Sequence, residues 1–236
     1  MNRAHLAPLA ALTLLMLAAS AAADQVMPAK TPEEAGMVDI RSLVTDFDVN
    51  IRYAGSANFV GVPVDGYEAA KCFLLRKVAR ALQRVELRLR RQQMRLKVFD
   101  CYRPVRAVQH FVRWARDLDD QRTKPLYYPN VQKSALLGEY IAPVSGHSRG
   151  ATVDLTLMRC PEGERCEPLD MGTEFDFFDV MATSAAPDIT PEQRENRMVL
   201  RLAMEQEGFQ NYTLEWWHYT LRPEPAPSKA YDFPVR

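Results

Sequence analysis

A histidine and an aspartate seven residues apart are the first pair in this chain that could do chemistry. His147 lies in the glycine-punctuated loop 145–150, and Asp154 lies in the apolar run 151–157. A carboxylate in such a run is costly to bury unless it is paired or bound to a metal. Imidazole and carboxylate are both good Zn²⁺ ligands, so the pair fits half of a metal site. A loop histidine and a strand aspartate in ordinary salt bridges fit these two residues equally well.

Histidine is scarce, which limits where a third ligand could come from. The chain has four histidines, and one of them, His5, lies in the N-terminal apolar segment. His110 lies within a predicted helix, where a partly exposed position explains it. His218 lies in the dense aromatic segment 214–219, three residues after Glu215. Burying both of these ionisable groups without partners would be expensive.

A zinc ion held by His147, Asp154 and His218 would explain all three side chains. Three protein ligands leave a fourth position open, and this distinguishes a catalytic zinc from a structural one. Zinc lowers the pKa of its water to about 7. Glu215 could then act as the general base that accepts the proton of that water and passes it to a leaving amine.

Arg103 is a candidate for stabilising an oxyanion. It follows a predicted strand and precedes a predicted helix, a position from which a guanidinium can reach a cleft. The alternative for Arg103 is an ion pair with Asp100.

One difficulty concerns Glu215 and His218, because side chains three apart on a regular strand face opposite sides. A bulge or a strand end is needed to bring them together. The chain has no H-E-x-x-H motif, which excludes the helix-borne zinc-peptidase signature.

Composition and charge place these residues in an ordinary globular protein. Of the 236 residues, 47% are hydrophobic and 25% are charged, and 30 basic residues balance 30 acidic ones. This balance gives no indication of a nucleic-acid partner. Arg3, the apolar segment 6–19 and the small residues 21–23 predict a cleaved signal peptide over residues 1–23. We therefore expect residues 24–236 to form one domain with no membrane span, exported to the periplasm. The sequence does not indicate its oligomeric state.

The four cysteines all lie in the region after the predicted signal. An even number in an exported chain favours disulfides over free thiols. Three pairings can be written for Cys72, Cys101, Cys160 and Cys166. A bridge across the short polar loop between Cys160 and Cys166 is the economical one, and it leaves Cys72 for Cys101. The rival is a cysteine-ligated zinc, but no close C-x-x-C pair is present.

The hydrophobic pattern predicts an α+β fold. Alternating or continuous apolar runs predict strands at residues 46–53, 96–99, 151–157 and 214–221. Helical spacing or caps predict helices at residues 67–91, 104–117 and 190–208. Residues 120–144 are predicted to be irregular, and the proline-rich tail after Arg222 to pack on the surface. We therefore expect one compact domain with a small central, mostly antiparallel sheet and flanking helices.

These residues resemble a known family, the zinc D-alanyl-D-alanine dipeptidases, the group that includes the vancomycin-resistance dipeptidase. The matching segments occur in the family's order across residues 46–235. They are Arg52-Tyr53-Ala54, Asn58-Phe59, Val64-Asp65-Gly66-Tyr67, Tyr102-Arg103-Pro104, Ser145-x-His147-Ser148-Arg149-Gly150-x-x-x-Asp154-Leu155-Thr156-Leu157, Met171-Gly172, Phe175-Asp176-Phe177, Glu215-Trp216-Trp217-His218-Tyr219 and Asp232-Phe233-Pro234.

The resemblance implies the D-Ala-D-Ala peptidase and hedgehog-like fold, and hydrolysis of D-alanyl-D-alanine with one Zn²⁺ per chain. It implies the same ligands, the same base and the same arginine that the chemistry suggests. It also implies a small substrate pocket bordered by Tyr53, Phe111, Ser145, Asp176 and Trp216. Asp176 is then the partner of the substrate ammonium. The signal segment and the cysteine loop depart from the vancomycin-resistance member and suggest an exported, periplasmic relative.

Two alternatives remain at this point. A peptidase of the same group could act on longer cell-wall peptides as a D,D- or L,D-carboxypeptidase or endopeptidase, and the size of the pocket would decide this. A non-catalytic zinc domain that binds wall fragments should have lost the base or the arginine. Glu215 and Arg103 are both present, which favours an enzyme.

Overall fold

A central sheet of six strands organises the fold. The computed structural model describes residues 24–236, so the predicted signal peptide lies outside the described residues. The strands of this region are β1 (Gln25–Val26), β2 (Met37–Asp39), β3 (Asp48–Val49), β4 (Phe73–Leu75), β5 (Met94–Asp100), β6 (Thr152–Arg159), β7 (Glu167–Pro168), β8 (Phe209–Asn211), β9 (His218–Leu221) and β10 (Lys229–Ala230). The central sheet has the order β3-β5-β6-β9-β8, with β7 beside β6, and only β3 and β5 pair in parallel. The expected small, mostly antiparallel sheet is confirmed.

Helices flank this sheet. In the described region they are α1 (Arg76–Arg90), α2 (Val105–Arg116), α3 (Lys124–Tyr127), α4 (Lys133–Glu139) and α5 (Pro191–Glu205). The apolar stripe of α1 is buried and packs near β5, and α5 packs beside β8 and α1. The capping box predicted at the start of α5 is present, with Thr190 and Gln193 bonding each other's backbone. The mixed fold of sheet and helices agrees with the expected α+β class.

The first predicted helix begins later than its hydrophobic pattern indicates. Residues 73–75 form β4 instead, because they pair antiparallel with β2. A short apolar run fits a buried strand as well as a helix, and here the available partner strand decides. The predicted strand 46–53 is also shorter: it pairs only at Asp48–Val49 and then turns into the 3₁₀ helix Arg52–Ala54.

Two further expectations about chain segments are wrong. Residues 120–144 contain the short helices α3 and α4. The tail does not lie on the surface, since Tyr231, Phe233 and Val235 are buried. The Tyr102 hydroxyl donates to the carbonyl of Phe233 at 2.9 Å, and the two rings stack 4.3 Å apart. Tyr231, Phe233 and Val235 occupy every second position, and this alternation is typical of an extended segment that is buried on one face.

Both disulfides have the pairing favoured by the sequence. Cys72–Cys101 joins the residue before β4 to the residue after β5, and Cys160–Cys166 closes the connection between β6 and β7. The first of these is fully buried at Cys72 and almost so at Cys101. Across residues 24–236, no helix combines the length and apolar character that crossing a bilayer requires.

Candidate metal centre and active-site pocket

Three adjacent strands place three ionisable residues side by side. Asp154 on β6 is the register partner of His218 at the start of β9 and of Asp100 at the end of β5. A register irregularity between Val98 and Asp100 marks the end of β5. Side chains directly opposite each other on neighbouring strands point to the same face of the sheet. The sheet register therefore gathers two carboxylates and an imidazole that are distant in sequence.

His147 reaches the same place from a loop. It lies in the 3₁₀ helix Gly146–Arg149, whose N-cap Ser145 accepts a hydrogen bond from the His147 backbone N–H at 3.3 Å. The His147 ring Nδ1 is 2.7 Å from the carbonyl oxygen of Cys101. A carbonyl can only accept, so Nδ1 carries the proton and Nε2 offers its lone pair. The buried Cys72–Cys101 disulfide holds the backbone that supplies this carbonyl.

The free nitrogen of His147 meets the other two side chains at one point. His147 Nε2 is 3.2 Å from Asp154 Oδ2 and 3.3 Å from His218 Nδ1, and His218 Nδ1 is 3.0 Å from Asp154 Oδ1. Ligand atoms at the corners of a zinc tetrahedron, with bonds of about 2.0–2.1 Å, lie about 3.3 Å apart. The distances therefore suit three ligands of one small cation.

An unsatisfied oxygen supports the same conclusion. Asp154 Oδ1 is buried and has no hydrogen-bond partner among the described residues, although His218 Nδ1 is close to it. A buried carboxylate oxygen without a partner is costly in a protein interior. Burial alone would raise the pKa of Asp154, but His147 and His218 hold it below its ordinary value. The carboxylate is thus ionised, and the donor set of two imidazoles and one carboxylate fits Zn²⁺.

Glu215 lies beside this cluster in a turn. Its backbone N–H bonds the carbonyl of Tyr212 at 2.9 Å, and its own carbonyl accepts from the N–H of His218 at 3.3 Å. Strand β9 begins only at His218, so the alternation of a regular strand does not apply to the two side chains. Glu215 Oε2 is 3.5 Å from His218 Nδ1. The strand predicted at 214–221 is wrong in its first half, and this removes the difficulty of bringing Glu215 and His218 together.

The environment of Glu215 suits a proton acceptor. The pKa of Glu215 is raised to about 7, mainly by burial and also by the nearby Asp154 carboxylate, whereas His218 and Arg103 oppose the shift. A carboxyl group with a pKa near neutrality can both accept and return a proton at neutral pH.

Arg103 both pairs with Asp100 and reaches the pocket. Its Nε and Nη2 lie 2.9 and 2.8 Å from Asp100 Oδ2, so the ion pair weighed as an alternative is present. Nη2 is also 3.5 Å from Asp154 Oδ2. The guanidinium carbon lies 5.1 and 5.0 Å from the ring centroids of Tyr53 and Phe111. The pair with Asp100 fixes the arginine in place without removing it from the pocket.

Asp100 is a central residue that the sequence indicated only as a partner for Arg103. It is fully buried, and the hydroxyl of Tyr67 donates to it at 2.6 Å. Its Oδ2 is 3.5 Å from Nδ1 of His147, in addition to its contacts with Arg103. Asp100 therefore connects the arginine to the imidazole. Its position at the end of a predicted buried strand was the available signal.

A pocket of about 320 Å³ opens over the cluster. Its wall includes His147, Asp154, His218, Glu215, Arg103, Tyr53, Phe111, Ser145, Asp176, Tyr140, Val144 and Tyr212. Four of the five side chains expected around a substrate are thus brought together. Trp216 is not, because its indole N–H donates to Thr173 Oγ1 at 2.8 Å and its ring lines a neighbouring cleft. The sequence reasoning missed Tyr140, Val144 and Tyr212, for which no motif gave a signal.

A buried carboxylate and a tyrosine form another part of the pocket wall. The Tyr53 hydroxyl lies 3.1 and 2.9 Å from the two carboxylate oxygens of Asp176. Asp176 has a φ of +62°, a left-handed conformation that few residues other than glycine adopt. Burial raises the pKa of Asp176 well above its ordinary value; Asp154 adds to the shift and Arg103 opposes it. A cation placed against Asp176 would stabilise the ionised form of this buried carboxyl group.

The chain is similar to known dipeptidases over most of its length. A family model described as D-ala-D-ala dipeptidase, of peptidase family M15, matches residues 33–236. A D-alanyl-D-alanine dipeptidase of Enterococcus faecium is 40% identical over 204 residues, which cover 86% of this chain and 100% of the relative. One of Streptomyces coelicolor is 40% identical over 83% of this chain and 96% of its own length. One of Escherichia coli K12 is 29% identical over 80% and 86%, respectively.

A solved structure of a related peptidase is more distant. The vancomycin resistance D,D-pentapeptidase VanY, in complex with Zn(II), aligns over 78% of this chain and 84% of its own, at 15% identity and a TM-score of 0.39.

Proposed function

The chain belongs to the D-ala-D-ala dipeptidase family of peptidases, and from this premise we propose that it hydrolyses D-alanyl-D-alanine to two molecules of D-alanine. The observation that carries the proposal is the buried cluster of His147, Asp154 and His218, with Glu215 and Arg103 beside it in one pocket. The names of relatives about 40% identical over most of their length support the substrate.

The metal in this proposal is one Zn²⁺ per chain. Its ligands would be His147 Nε2, His218 Nδ1 and a carboxylate oxygen of Asp154, the atoms that converge in the structure. When bound, zinc supplies a Lewis acid that polarises a carbonyl and lowers the pKa of a water to about 7. The contact from His147 Nδ1 to the Cys101 carbonyl orients the ring for this role.

Glu215 and Arg103 complete the proposed chemistry. Glu215 removes the proton of the attacking water and later delivers it to the amine that leaves, a transfer for which a pKa of about 7 is suited. Arg103, held by Asp100, donates hydrogen bonds to the peptide oxygen as negative charge grows on it. Donors that are already fixed stabilise such charge more than mobile ones do.

The proposed specificity for a free dipeptide comes from Asp176 and Tyr53. A substrate ammonium placed against Asp176 pairs with a buried carboxylate that otherwise has the Tyr53 hydroxyl as its donor. An acylated amino group would bring an uncharged, larger group to the same place. A peptide extended at its N-terminus should therefore be excluded, which favours a dipeptidase over an enzyme that trims longer wall peptides.

An amine-release assay on a panel of substrates tests the proposal. The panel contains D,D-, L,D- and L,L-dialanine, N-acetyl-D-alanyl-D-alanine and a wall pentapeptide that ends in D-alanyl-D-alanine, each with and without chelator. We expect chelator-sensitive cleavage of the free D,D-dipeptide alone. Release of D-alanine from the pentapeptide but not from the dipeptide would instead support a carboxypeptidase. A zinc-loaded protein that cleaves none of the panel would refute the catalytic proposal.

We further propose that the enzyme is exported to the periplasm after loss of residues 1–23. The apolar segment 6–19 ahead of small residues supports a signal, and the two disulfides suit an oxidising compartment. N-terminal sequencing of the protein recovered from a periplasmic fraction should begin at Asp24. A full-length N-terminus, or recovery only from the cytoplasm, would contradict export.

A further inference from the structure

A second cleft is lined by residues from three of the backbone segments that also line the active-site pocket. It encloses about 460 Å³, and we call it the carboxylate cleft, after the ligand class argued for it below. Its wall includes Asn50, Arg52, Lys97, Phe99, Phe175 and Trp216. Three of its side chains are sequence neighbours of side chains in the active-site pocket: Arg52 of Tyr53, Phe175 of Asp176, and Trp216 of Glu215. The same three backbone segments therefore contribute side chains to both cavities.

Arg52 brings an underused guanidinium to this cleft. Its Nε is buried and has no hydrogen-bond partner within residues 24–236. Its Nη2 has only the exposed carboxylate of Glu174, at 3.7 Å, which is longer than a hydrogen bond. The guanidinium carbon lies 5.1 Å from the ring centroid of Phe99. Stacking on an aromatic ring holds the plane of the group but leaves its donors unsatisfied.

Other partly buried arginines of this protein differ from Arg52. Arg103 bonds Asp100, and Arg149 bonds Asp24 and Glu224 at 2.7 and 2.5 Å. Arg197 donates to three backbone carbonyls at 2.6–3.0 Å. In these cases the guanidinium has a structural partner that explains its burial. The Arg52 guanidinium makes no hydrogen bond within residues 24–236, and its two Nη groups, unlike its buried Nε, are accessible to a ligand in the cleft.

The rest of the cleft wall indicates the ligand class. Lys97 adds a second cation, which is held only loosely by Asp48 at 3.6 Å. Phe99 and Phe175 stack 4.9 Å apart, and the Trp216 ring lies on the same cleft. The wall also holds two carboxylates, but Asp170 already accepts hydrogen bonds from Gly172 and Gln193, and Glu174 is exposed. The two cations next to the aromatic rings therefore suit an anion with an apolar body. A guanidinium binds a carboxylate through two parallel hydrogen bonds, whereas a phosphate gains nothing from the aromatic wall.

We infer that the carboxylate cleft is a second binding site, which takes a small carboxylate bearing a short apolar side chain, such as an acylated amino acid. The carboxylate lies against Arg52, with Lys97 nearby, and the side chain lies against Phe175 and Trp216. The site is separate from the metal cluster and does not depend on the proposed reaction. A ligand in it touches residues adjacent to Tyr53, Asp176 and Glu215 without entering the active-site pocket.

Indole N–H signals in an NMR titration test this inference. The chain has three tryptophans, so full-length zinc-loaded protein labelled with ¹⁵N-tryptophan gives three indole signals. The probe is N-acetyl-D-alanine, which lacks the free ammonium expected to meet Asp176. We expect it to shift the Trp216 signal in a saturable way and to leave Trp114 unchanged. N-acetyl-D-alaninamide, which has no carboxylate, should shift no signal. The Trp216 signal is assigned by triple resonance, so no tryptophan variant is required.

Two variants with opposite effects make the test specific. Arg52→Gln should weaken binding of N-acetyl-D-alanine about tenfold, because a charge-assisted hydrogen bond is lost. Glu174→Gln should tighten it about twofold, because an exposed competing carboxylate is removed. Equal binding of the amide, a Trp216 shift that persists unchanged in Arg52→Gln, or a response to inorganic phosphate but not to N-acetyl-D-alanine would each overturn the inference.

Discussion

Asp154 and His218 face each other across β6 and β9 with 3.0 Å between Asp154 Oδ1 and His218 Nδ1, yet within residues 24–236 this oxygen has no hydrogen-bond partner. Two such groups at this distance would ordinarily share a proton between them. Instead, the ring nitrogen and the carboxylate oxygen converge with Nε2 of His147 on one point. Ligands of one shared cation require this arrangement.

Replacing Asp154 should remove the metal. Asp154→Ala leaves two imidazoles, and we expect zinc content to fall from about one ion per chain to below about 0.1 after dialysis, since three protein ligands are the minimum for a catalytic zinc. Metal analysis by atomic absorption measures this. His110→Ala is the matched control, because His110 lies outside the cluster, and it should keep its zinc. Full zinc in Asp154→Ala would exclude this residue as a ligand.

Replacing Glu215 should separate catalysis from metal binding. Glu215→Gln keeps the size of the side chain and removes the proton acceptor. We expect kcat for D-alanyl-D-alanine to fall about 10²–10⁴-fold, the usual contribution of a general base, with zinc still bound. Glu139→Gln is the control, because Glu139 also lines the pocket but is not in contact with the metal cluster. A loss of zinc in Glu215→Gln would mean that Glu215 is itself a ligand.

The residues of the site could be predicted from the sequence, but the way in which they meet could not. His147, Asp154, Glu215 and His218 stand out because ionisable groups in apolar or glycine-rich segments need a reason to be there. Whether Glu215 and His218 share a face depended on where β9 begins. That boundary is set by the pairing of β9 with β6 and β8, which is a tertiary property invisible in a single apolar run.

The same limit explains the other differences. Residues 73–75 join a strand because β2 lies beside them, and Tyr231, Phe233 and Val235 enter the core because Tyr67 and Tyr102 receive them. Trp216 follows Glu215 directly in sequence but lines the opposite cavity. A family motif gives the identity of a residue and not the side to which it points.

Arg103 and Asp100 should have separable effects on stability and on activity. Arg103→Ala leaves the fully buried Asp100 without its cation, which we expect to lower the free energy of unfolding by about 3 kcal/mol. Adding Asp100→Asn to this variant should restore much of that stability but not kcat. Urea unfolding and dipeptide kinetics measure the two quantities. If the double variant also recovered activity, Arg103 would have only the structural role of an ion-pair partner.

Substrate recognition by Asp176 should appear mainly in KM. Asp176→Asn removes the charge that pairs with the substrate ammonium. Tyr53→Phe removes only the hydroxyl that lies within hydrogen-bond distance of both Asp176 oxygens, so it should have a smaller effect on KM. We expect Asp176→Asn to raise KM for D-alanyl-D-alanine about 10–100-fold, the value of a lost hydrogen bond to a charged group. Steady-state kinetics with the free and the N-acetylated dipeptide measure this. An equal effect on both substrates would show that Asp176 does not recognise the ammonium.

The two disulfides should differ in their effect on the metal. Removing Cys72–Cys101 frees the backbone that presents the Cys101 carbonyl to Nδ1 of His147, at 2.7 Å. Groups that orient a metal-binding histidine in this way typically contribute about 10–100-fold to metal affinity. The variant with both cysteines changed to serine should therefore bind zinc at least about tenfold more weakly, in addition to losing about 3 kcal/mol of stability from the larger unfolded ensemble.

The second bridge provides the control for this last prediction. Cys160–Cys166 closes a loop beside β7 and is not in contact with His147, so its removal should lower stability without changing zinc affinity. Competition with a chromophoric chelator gives the zinc affinity, and urea unfolding gives the stability, for both double variants. Equal zinc affinities would mean that the rest of the loop around His147, including the Ser145 cap, is sufficient to orient the ring. Weaker zinc binding in the Cys72 and Cys101 variant alone would connect the oxidation state of this disulfide to the metal site. The disulfide holds the Cys101 carbonyl, which accepts a hydrogen bond from His147 Nδ1 and so leaves His147 Nε2 free to bind zinc.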